Sequence, residues 1–375
     1  LGFSEAAFGL GAGIFFIGYF LFEIPGALIV ERFSARKWIA RILITWGLCT
    51  VLIGFVRTPN EFYGARFLLG CAEAGFFPGI IVYLGHWFPR KERAKAVAGL
   101  ILGVPVSQVL GGPLSALILH SLDWRWMFIL EGIPAILLGF ITLRYLTDRP
   151  SQATWLTPPE RTWLISQLTE STHHSSSSPW AAFRDKRILL LALAMACVNI
   201  GTYAFQLWVP SIIRAAQTSM SVSKASALAA LPFAASIIGM TLFGRSSDKT
   251  GERRFHAAVP MWCAGIFFFF AARPNQSLEV EIIWLCLSGF FVYAWPGPFW
   301  TLPTAALGQT AAAASVGLIN SIGNLGGFIG PTVIGNLLST GFPMQTALAF
   351  VPAAFFLAGC LVLTVRVDAK IKPAT

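Results

Sequence analysis

The chain has 375 residues, of which 55% are hydrophobic and only 12% are charged. A soluble domain carries about twice that share of charged residues, and one this apolar would expose large sticky patches to water. The net charge of +10 does not indicate nucleic-acid binding, because the basic residues are scattered over short connections and form no helical stripe.

Long apolar runs divide the chain into predicted membrane-spanning helices. A helix needs about 20 apolar residues to cross the hydrocarbon core, and such runs predict eleven spans. Proline and glycine interrupt several of them, which membrane helices tolerate. In chain order the spans are 8–30, 38–56, 62–86, 94–119, 126–146, 188–213, 225–244, 255–272, 280–305, 311–338 and 345–366.

Lysine and arginine predict how these spans are oriented. Basic residues concentrate in cytoplasmic connections, and 21 of the 27 lie in one alternate set of connections, which includes the C-terminal tail. We therefore expect a multi-pass protein of the plasma or inner membrane whose C-terminus is cytoplasmic. We expect three parts: a first transmembrane half at 1–146, a cytoplasmic linker at 147–187 and a second transmembrane half at 188–375.

One short helix is predicted inside the linker. Thr157 and Glu160 have the spacing of a capping box, which opens a helix. Trp163, Leu164 and Leu168 would then share one face of that helix. We expect this face to lie against the membrane surface.

The two halves repeat each other in sequence. Residues 244–254 read GRSSDKTGERR between two spans, and residues 27–37 read ALIVERFSARK at the matching place. Their acids align at an offset of 217, and a Gly-Pro pair at 112–113 aligns with a second at 330–331 at an offset of 218. Two matches at nearly one offset indicate a duplication, which membrane proteins with internal repeats show.

The offset predicts one further helix. The span 188–213 would have its counterpart 217 residues earlier, before Leu1. We therefore expect an all-α polytopic membrane protein of two six-helix halves, with the first helix of the first half missing from this chain and eleven spans present.

The segment 244–254 resembles the signature loop of the major facilitator superfamily. The copy at 27–37 departs from that pattern, since Ala27 and Ser34 stand where glycine is usual and Glu31 replaces aspartate. The resemblance implies that acids and bases pair across a cytoplasmic gate and separate when the conformation changes. The gating residues that it implies are Glu31, Arg32, Arg36, Asp248, Lys249, Arg253 and Arg254.

Further segments are similar to the anion:cation symporter family of that superfamily, and are most like its tartrate-transporter-like members. They are FFIGYFLFEIP at 15–25, RFLLGCAEAGFFPG at 66–79, WFPRKERA at 87–94, PFWTLP at 298–303 and GLINSIGNLGG at 317–327. The resemblance implies proton-coupled symport of a small organic anion, such as a tartrate-like hydroxy-dicarboxylate, by alternating access. Its partners would be that substrate, protons and the lipid bilayer, and we expect a monomer.

Glu73 is the candidate proton-coupling residue. It is the twelfth residue of the span 62–86, near the midplane, where a charged group costs roughly 2.5–3.5 kcal/mol. Low-dielectric surroundings favour the neutral carboxyl, so Glu73 could take and release a proton as access alternates. The family uses the matching glutamate in this way. A structural hydrogen bond to a neighbouring helix is the alternative.

Substrate contacts are expected from both halves. Trp300 and Asn320 match family positions that face the substrate, although Trp300 could instead be a core or lipid-facing aromatic. Tyr203 and Gln206 are polar groups at membrane depth, and they share a helix face with Asn199.

The first half contributes Tyr19, which matches a family tyrosine in the cavity. Glu23 lies one helical turn further on, and it could be a gating contact or an inter-helix bond. Arg66 is the basic residue nearest to the middle of a span, and it lies towards the outer end. The resemblance implies an arginine anchor for the anion on the first helix, so residues 1–375 alone are expected to bind substrate weakly.

No enzyme activity or cofactor is expected. The six cysteines lack zinc-ligand spacing, and no Ser/His/Asp arrangement or metal site is visible in the sequence. Two alternatives stay open: a carrier of a neutral sugar or other solute in the same superfamily, and a non-transporting sensor built on the same fold.

Overall fold

Apolar runs broken by glycine and proline form a chain of helices of unequal length. The structure is a computed structural model, and it describes residues 4–32, 34–169, 184–217, 219–303 and 312–365. Within those ranges the regular structure is helical. The helices are α1 (Glu5–Arg32), α2 (Ala35–Ile53), α3 (Pro59–Glu73), α4 (Phe76–Trp87), α5 (Arg90–Ser121), α6 (Trp124–Tyr145), α7 (Pro158–Thr169), α8 (Lys186–Ala216), α9 (Val222–Leu228), α10 (Ala230–Thr250), α11 (Arg254–Ala271), α12 (Leu278–Val292), α13 (Pro296–Phe299), α14 (Ala312–Ser339), α15 (Met344–Leu348) and α16 (Phe350–Thr364).

Nine helical segments among the described residues are long and apolar enough to cross a membrane. They correspond to nine of the eleven predicted spans. The other two predicted spans coincide with α2, whose first two turns carry three basic residues, and with α14, which glycine and asparagine make less apolar. A count of eleven spans therefore stays a prediction.

Four predicted spans are interrupted, and one of them is 345–366, which begins as the separate short helix α15 before α16. The span 62–86 breaks at Gly75, whose φ of 82° lies in the left-handed region that favours glycine. The span 225–244 begins as the separate short helix α9, and the span 280–305 is interrupted between α12 and α13.

The signature segment is mostly helical, which corrects its interpretation as a loop. Helix α10 continues through Gly244 to Thr250 and ends at Gly251, whose φ of 71° forms a left-handed C-cap. The charged residues of this segment therefore lie on a helix that extends beyond the apolar span.

Polar caps begin several helices and fix where they start. In the linker, Thr157 donates two hydrogen bonds to the Glu160 carboxylate, of 2.9 Å from its amide and 2.6 Å from its hydroxyl. Helix α7 follows, as the capping spacing predicts. These hydrogen bonds lower the pKa of Glu160. Leu164 and Leu168 are half-buried but Trp163 is 63% exposed, so the three side chains do not share one environment.

Two main junctions connect the helices before the linker to those after it. Helix α1 packs along α14, and α5 packs on α9 and α10. A Cβ at Gly9 would lie 2.4 Å from the Pro331 carbonyl oxygen, and one at Gly112 would lie 2.8 Å from the Ser226 carbonyl oxygen. The offset of 217–218 relates these two junctions to each other, which supports the duplication. We call α1–α6 the first group and α8–α16 the second group.

The second group contains most of the fully buried core. Helix α8 lies inside it, with Phe205 and Trp208 buried, and packs on α14 and α16. The first group exposes long apolar faces, because Leu110, Leu117 and Phe140 are each more than half exposed. Such faces match a lipid solvent.

Candidate functional site

Glu23 lies at the centre of a polar cluster between the two groups of helices. Its side chain is fully buried. One carboxylate oxygen accepts a 2.6 Å hydrogen bond from the Asn320 side-chain amide of α14, and the other accepts a 2.9 Å bond from the Gly75 backbone N–H. The carboxylate therefore connects α1 to α14 and to the break between α3 and α4.

The break at Gly75 is what makes this arrangement possible. A continuous helix would use the Gly75 N–H internally, whereas the left-handed turn directs it away from the helix. A Cβ at Gly26 would lie 3.0 Å from the Gly75 Cα, so α1 approaches the break closely. Glycine at both positions lets the buried carboxylate of Glu23 reach an unpaired backbone donor.

Glu73 is the last residue of α3, directly before the break. Its side chain is half-buried. The Glu73 carboxyl interacts electrostatically with Arg66, Glu23, Tyr19 and Tyr203. The predicted proton-coupling residue therefore belongs to the same cluster as two of the predicted substrate contacts.

The tyrosines of the cluster come from opposite groups of helices. Tyr19 is buried one turn before Glu23 and interacts through its hydroxyl with Asn320. Tyr203, on α8, is half-buried, and its ring packs against Phe16 with centroids 4.4 Å apart. Tyr19, Tyr203 and Asn320 therefore lie around the Glu23 carboxylate in this conformation.

Arg66, which the sequence places towards the outer end of its span, borders the cluster because its charge interacts with the Glu73 carboxyl. Its Nε donates a 3.1 Å hydrogen bond to the Gly11 carbonyl, and its guanidinium carbon lies 4.9 Å from the centroid of the Phe15 ring. Arg66 and Glu73 are seven positions apart, which places both on one face of α3. That spacing was the available signal for a cation directed into the cluster.

Two predicted contacts of the second group lie at its edge. Gln206 donates a hydrogen bond from its side-chain amide to the Tyr293 hydroxyl. Trp300, half-buried, packs across the two groups against Phe77 of α4, with ring centroids 5.8 Å apart. Asn199, on the same face as Gln206, donates to the Gly323 carbonyl at 3.0 Å and joins α8 to α14.

A cavity of about 470 Å³ lies between α5, α6, α8 and α9. Its polar lining includes Gln108, Ser115, Glu131 and Gln206, and Ser115 donates a 2.6 Å hydrogen bond to Glu131. None of the carboxylates of the Glu23 cluster lines it. Gln206 is therefore the one predicted substrate residue that borders this cavity.

The predicted gating residues of the signature segment pair locally. Asp248 forms a 2.6 Å ion pair with Arg253 five residues later, and Arg253 also donates to the Ser247 hydroxyl. Arg254 donates to the Leu363 carbonyl at the end of α16, and Lys249 is exposed. Where the structure describes this segment, its pairs lie within the second group and do not cross to the first.

The same segment holds a carboxylate with three donors. Glu252 accepts hydrogen bonds from the backbone amides of Phe255 and His256 and from the His256 ring. Partial burial opposes ionisation, but these hydrogen bonds outweigh it and lower the pKa of Glu252.

The matching segment of the first group is held by the linker. Arg36 donates its backbone N–H to Asp148 at 2.8 Å and its guanidinium to the Leu146 carbonyl at 3.4 Å. The side chains of Glu31 and Arg32 lie outside the described residues.

The sequence of the chain matches a known protein family. Residues 1–331 match the family described as Major Facilitator Superfamily. The chain belongs to the Major Facilitator Superfamily. Because the family and the relatives below are named as transporters, this major facilitator chain is a multi-pass membrane protein and not an enzyme.

Relatives of this major facilitator chain match nearly all of it and 84–87% of their own lengths. A protein of Agrobacterium vitis named "Putative tartrate transporter" is 41% identical over 97% of this chain and 84% of its own. The "Quinolone resistance transporter" of Acinetobacter baumannii is 37% identical over 99% and 87% of the two chains. The "Inner membrane transport protein RhmT" of Escherichia coli is 35% identical over 98% and 87%.

A solved structure shows the same fold. The crystal structure of a bacterial homologue of the human lysosomal transporter Spinster, in an inward-facing and unoccupied conformation, aligns with a TM-score of 0.71. The alignment covers 98% of this chain and 92% of the other, at 19% sequence identity. The expected fold, an all-helical major facilitator architecture, is therefore confirmed.

Proposed function

We propose that this major facilitator chain is a secondary active transporter that carries a small organic anion, such as a tartrate-like hydroxy-dicarboxylate, in symport with protons. The observation that carries the proposal is the grouping of Arg66, Glu73 and Glu23 where the two groups of helices meet. A cation beside embedded carboxyls is suited to bind an anion and a proton in one place.

The anion would bind beside Arg66. Its planar guanidinium matches a carboxylate in a bidentate geometry. Among the described residues, the hydrogen bond given to Arg66 uses its Nε, which donates to the Gly11 carbonyl. Tyr19, Tyr203 and Asn320 would supply hydrogen bonds to a hydroxyl or second carboxylate. Trp300 would form an apolar wall.

The proton would be carried by Glu73. Its carboxyl interacts with the Arg66 charge and with the Glu23 carboxyl, so a bound anion at Arg66 changes its electrostatic surroundings. An anion that neutralises Arg66 makes the neutral form of Glu73 more favourable. Binding of the anion and binding of the proton would therefore support each other, which is what symport requires.

Alternating access would proceed by movement of one group of helices against the other. The Glu23–Asn320 hydrogen bond joins the groups near the site in this conformation. The gating roles of Glu31, Arg32, Arg36, Asp248, Lys249, Arg253 and Arg254 remain a proposal for other conformations.

We also propose that the chain has two transmembrane halves, one ending at residue 146 and the other beginning at residue 188. In this proposal the C-terminus is cytoplasmic and the protein is a monomer. Helix α8 packs on α14 and α16, while their repeat counterparts α5 and α6 leave most of their surface open and border the 470 Å³ cavity. The correspondence of α5 and α6 with α14 and α16 supports the division of the chain into two repeated halves.

Transport by the purified protein in liposomes tests the proposal. Glu73→Gln should abolish uphill, proton-driven uptake of tartrate while leaving tartrate exchange, because glutamine keeps the shape but cannot lose a proton. Glu131→Gln is the matched control, an embedded carboxyl outside the cluster, and should keep both activities. Uphill uptake by Glu73→Gln would contradict the proposal.

A further inference from the structure

The linker that follows α6 is held at the depth of the membrane surface. Trp87 ends α4 and Tyr145 ends α6, and both helices end there as membrane spans. The Trp87 ring N–H donates a 3.0 Å hydrogen bond to the Thr147 carbonyl, and Trp155 stacks on Trp87 with centroids 5.5 Å apart. Residues 145–155 are therefore fixed beside two span ends.

This part of the linker has a defined structure. Asp148 accepts a 2.6 Å hydrogen bond from the Ser34 hydroxyl as well as the Arg36 amide bond. Ala153 is fully buried, and its carbonyl accepts a 2.6 Å bond from Arg161 of α7. These hydrogen bonds connect the start of α7 to the segment that lies beside the ends of α4 and α6.

Residues 145–165 expose large aromatic side chains, whose contact with water is unfavourable. Tyr145 is 76% exposed, Trp155 65% and Trp163 63%, and Ile165 is also exposed. Helix α7 has 12 residues, about 18 Å at 1.5 Å per residue, which is too short to cross a bilayer. Tryptophan and tyrosine are enriched where headgroups meet water, because their rings are apolar with a polar edge.

Exposed cations accompany these rings. Arg144 precedes Tyr145 and Arg149 follows it within the same tied segment, and both side chains are exposed. Basic groups at a bilayer surface attract anionic headgroups, by about fivefold in affinity for each arginine. Aromatic rings and exposed arginines at interfacial depth fit an anionic phospholipid surface.

We propose that residues 144–165, which we call the surface anchor, bind the headgroups of anionic phospholipids, with Trp155 and Trp163 inserted at headgroup level. The surface anchor contacts α2 and α4 through Ser34, Arg36 and Trp87, so it holds the first group against the bilayer. The proposal does not depend on which solute is carried.

Amide hydrogen exchange tests the surface anchor in the intact protein. The protein is placed in nanodiscs of phosphatidylcholine alone or with phosphatidylglycerol, and exchange is followed over residues 155–168. We expect exchange at least threefold slower with phosphatidylglycerol. Soluble glycerol phosphate, added to the phosphatidylcholine discs, should give no slowing.

Two variants sharpen the test. The double variant Arg144→Gln/Arg149→Gln should lose most of the slowing, whereas Arg214→Gln, an exposed arginine at the end of α8, should keep it. Equal exchange in both lipids overturns the proposal, as does slowing by glycerol phosphate alone or full slowing in the double variant. If a variant fails to fold, the comparison of the unmodified protein in the two kinds of nanodisc still tests the proposal.

Discussion

The hydrogen bond between Glu23 and Asn320 should set the balance between conformations. It joins α1 to α14 at 2.6 Å, and its acceptor is a fully buried carboxylate. Asn320→Ala removes the donor and leaves one carboxylate oxygen of Glu23 without that partner. The Gly75 N–H still binds the other oxygen, so the folded first group should persist.

The size of the effect follows from the type of bond. A hydrogen bond to a charged group contributes about 1.5–3 kcal/mol, and each 1.4 kcal/mol is a tenfold change in an equilibrium constant. Asn320→Ala should therefore shift the equilibrium roughly 10- to 150-fold towards the conformation in which α1 and α14 separate near the site.

Distance measurements between labels on the two groups of helices would report this shift in nanodiscs. Asn324→Ala is the matched control, because Asn324 lies one turn further along α14, is buried, and its amide nitrogen has no hydrogen-bond partner in the described structure. The control should change the populations less than twofold. Equal, small changes in both variants would refute the assigned role of the Glu23–Asn320 bond.

Three further predictions concern packing and stability. Gly70→Ala should destabilise the protein by about 1–3 kcal/mol, because its Cβ would lie 1.9 Å from a carbonyl oxygen of α1. Gly64→Ala meets open space and should be tolerated. Thermal unfolding in detergent compares the two variants, and equal melting temperatures would contradict the close packing of α3 on α1. Asp148→Ala removes two hydrogen bonds to the start of α2 and should cost about 1–3 kcal/mol in the same assay, so an unchanged melting temperature would count against the linker contact. The pKa of Glu252 is lowered on folding, so its contribution is present above the ordinary glutamate pKa of about 4.3 and is lost as pH falls through the folded value. The stability difference between the parent and Glu252→Gln should therefore be smaller at about pH 3 than at about pH 5, and a difference that grows over this interval would be inconsistent with this sign.

The helices were largely predictable because apolar length and charge act locally. The span 94–119 and helix α5 differ only at their ends, since basic and polar residues continue the helix beyond the apolar run. The break at Gly75 was not predicted, because a glycine inside an apolar run is also compatible with an unbroken helix. Its left-handed conformation depends on contacts with α1 and on a partner for its N–H.

The site was predicted as a set of residues but not as an arrangement. Embedded carboxyls stand out in sequence because charge is costly in a bilayer, so Glu23 and Glu73 were found. That Glu23 binds Asn320, 297 positions away, depends on how α1 and α14 pack, which the pattern of either helix does not contain. The sequence locates Arg66 by its depth in the span, and the face of α3 that it shares with Glu73 relates it to the cluster.

Proton movement driven by substrate tests the central claim most directly. Liposomes containing the protein carry a pH-sensitive dye inside, with no imposed gradient, and tartrate is added outside. We predict that the interior acidifies as labelled tartrate enters, and that a proton uncoupler abolishes the acidification but not the tartrate entry. Tartrate entry without acidification, or uptake of a neutral sugar in its place, would contradict the proposed symport of an organic anion with protons.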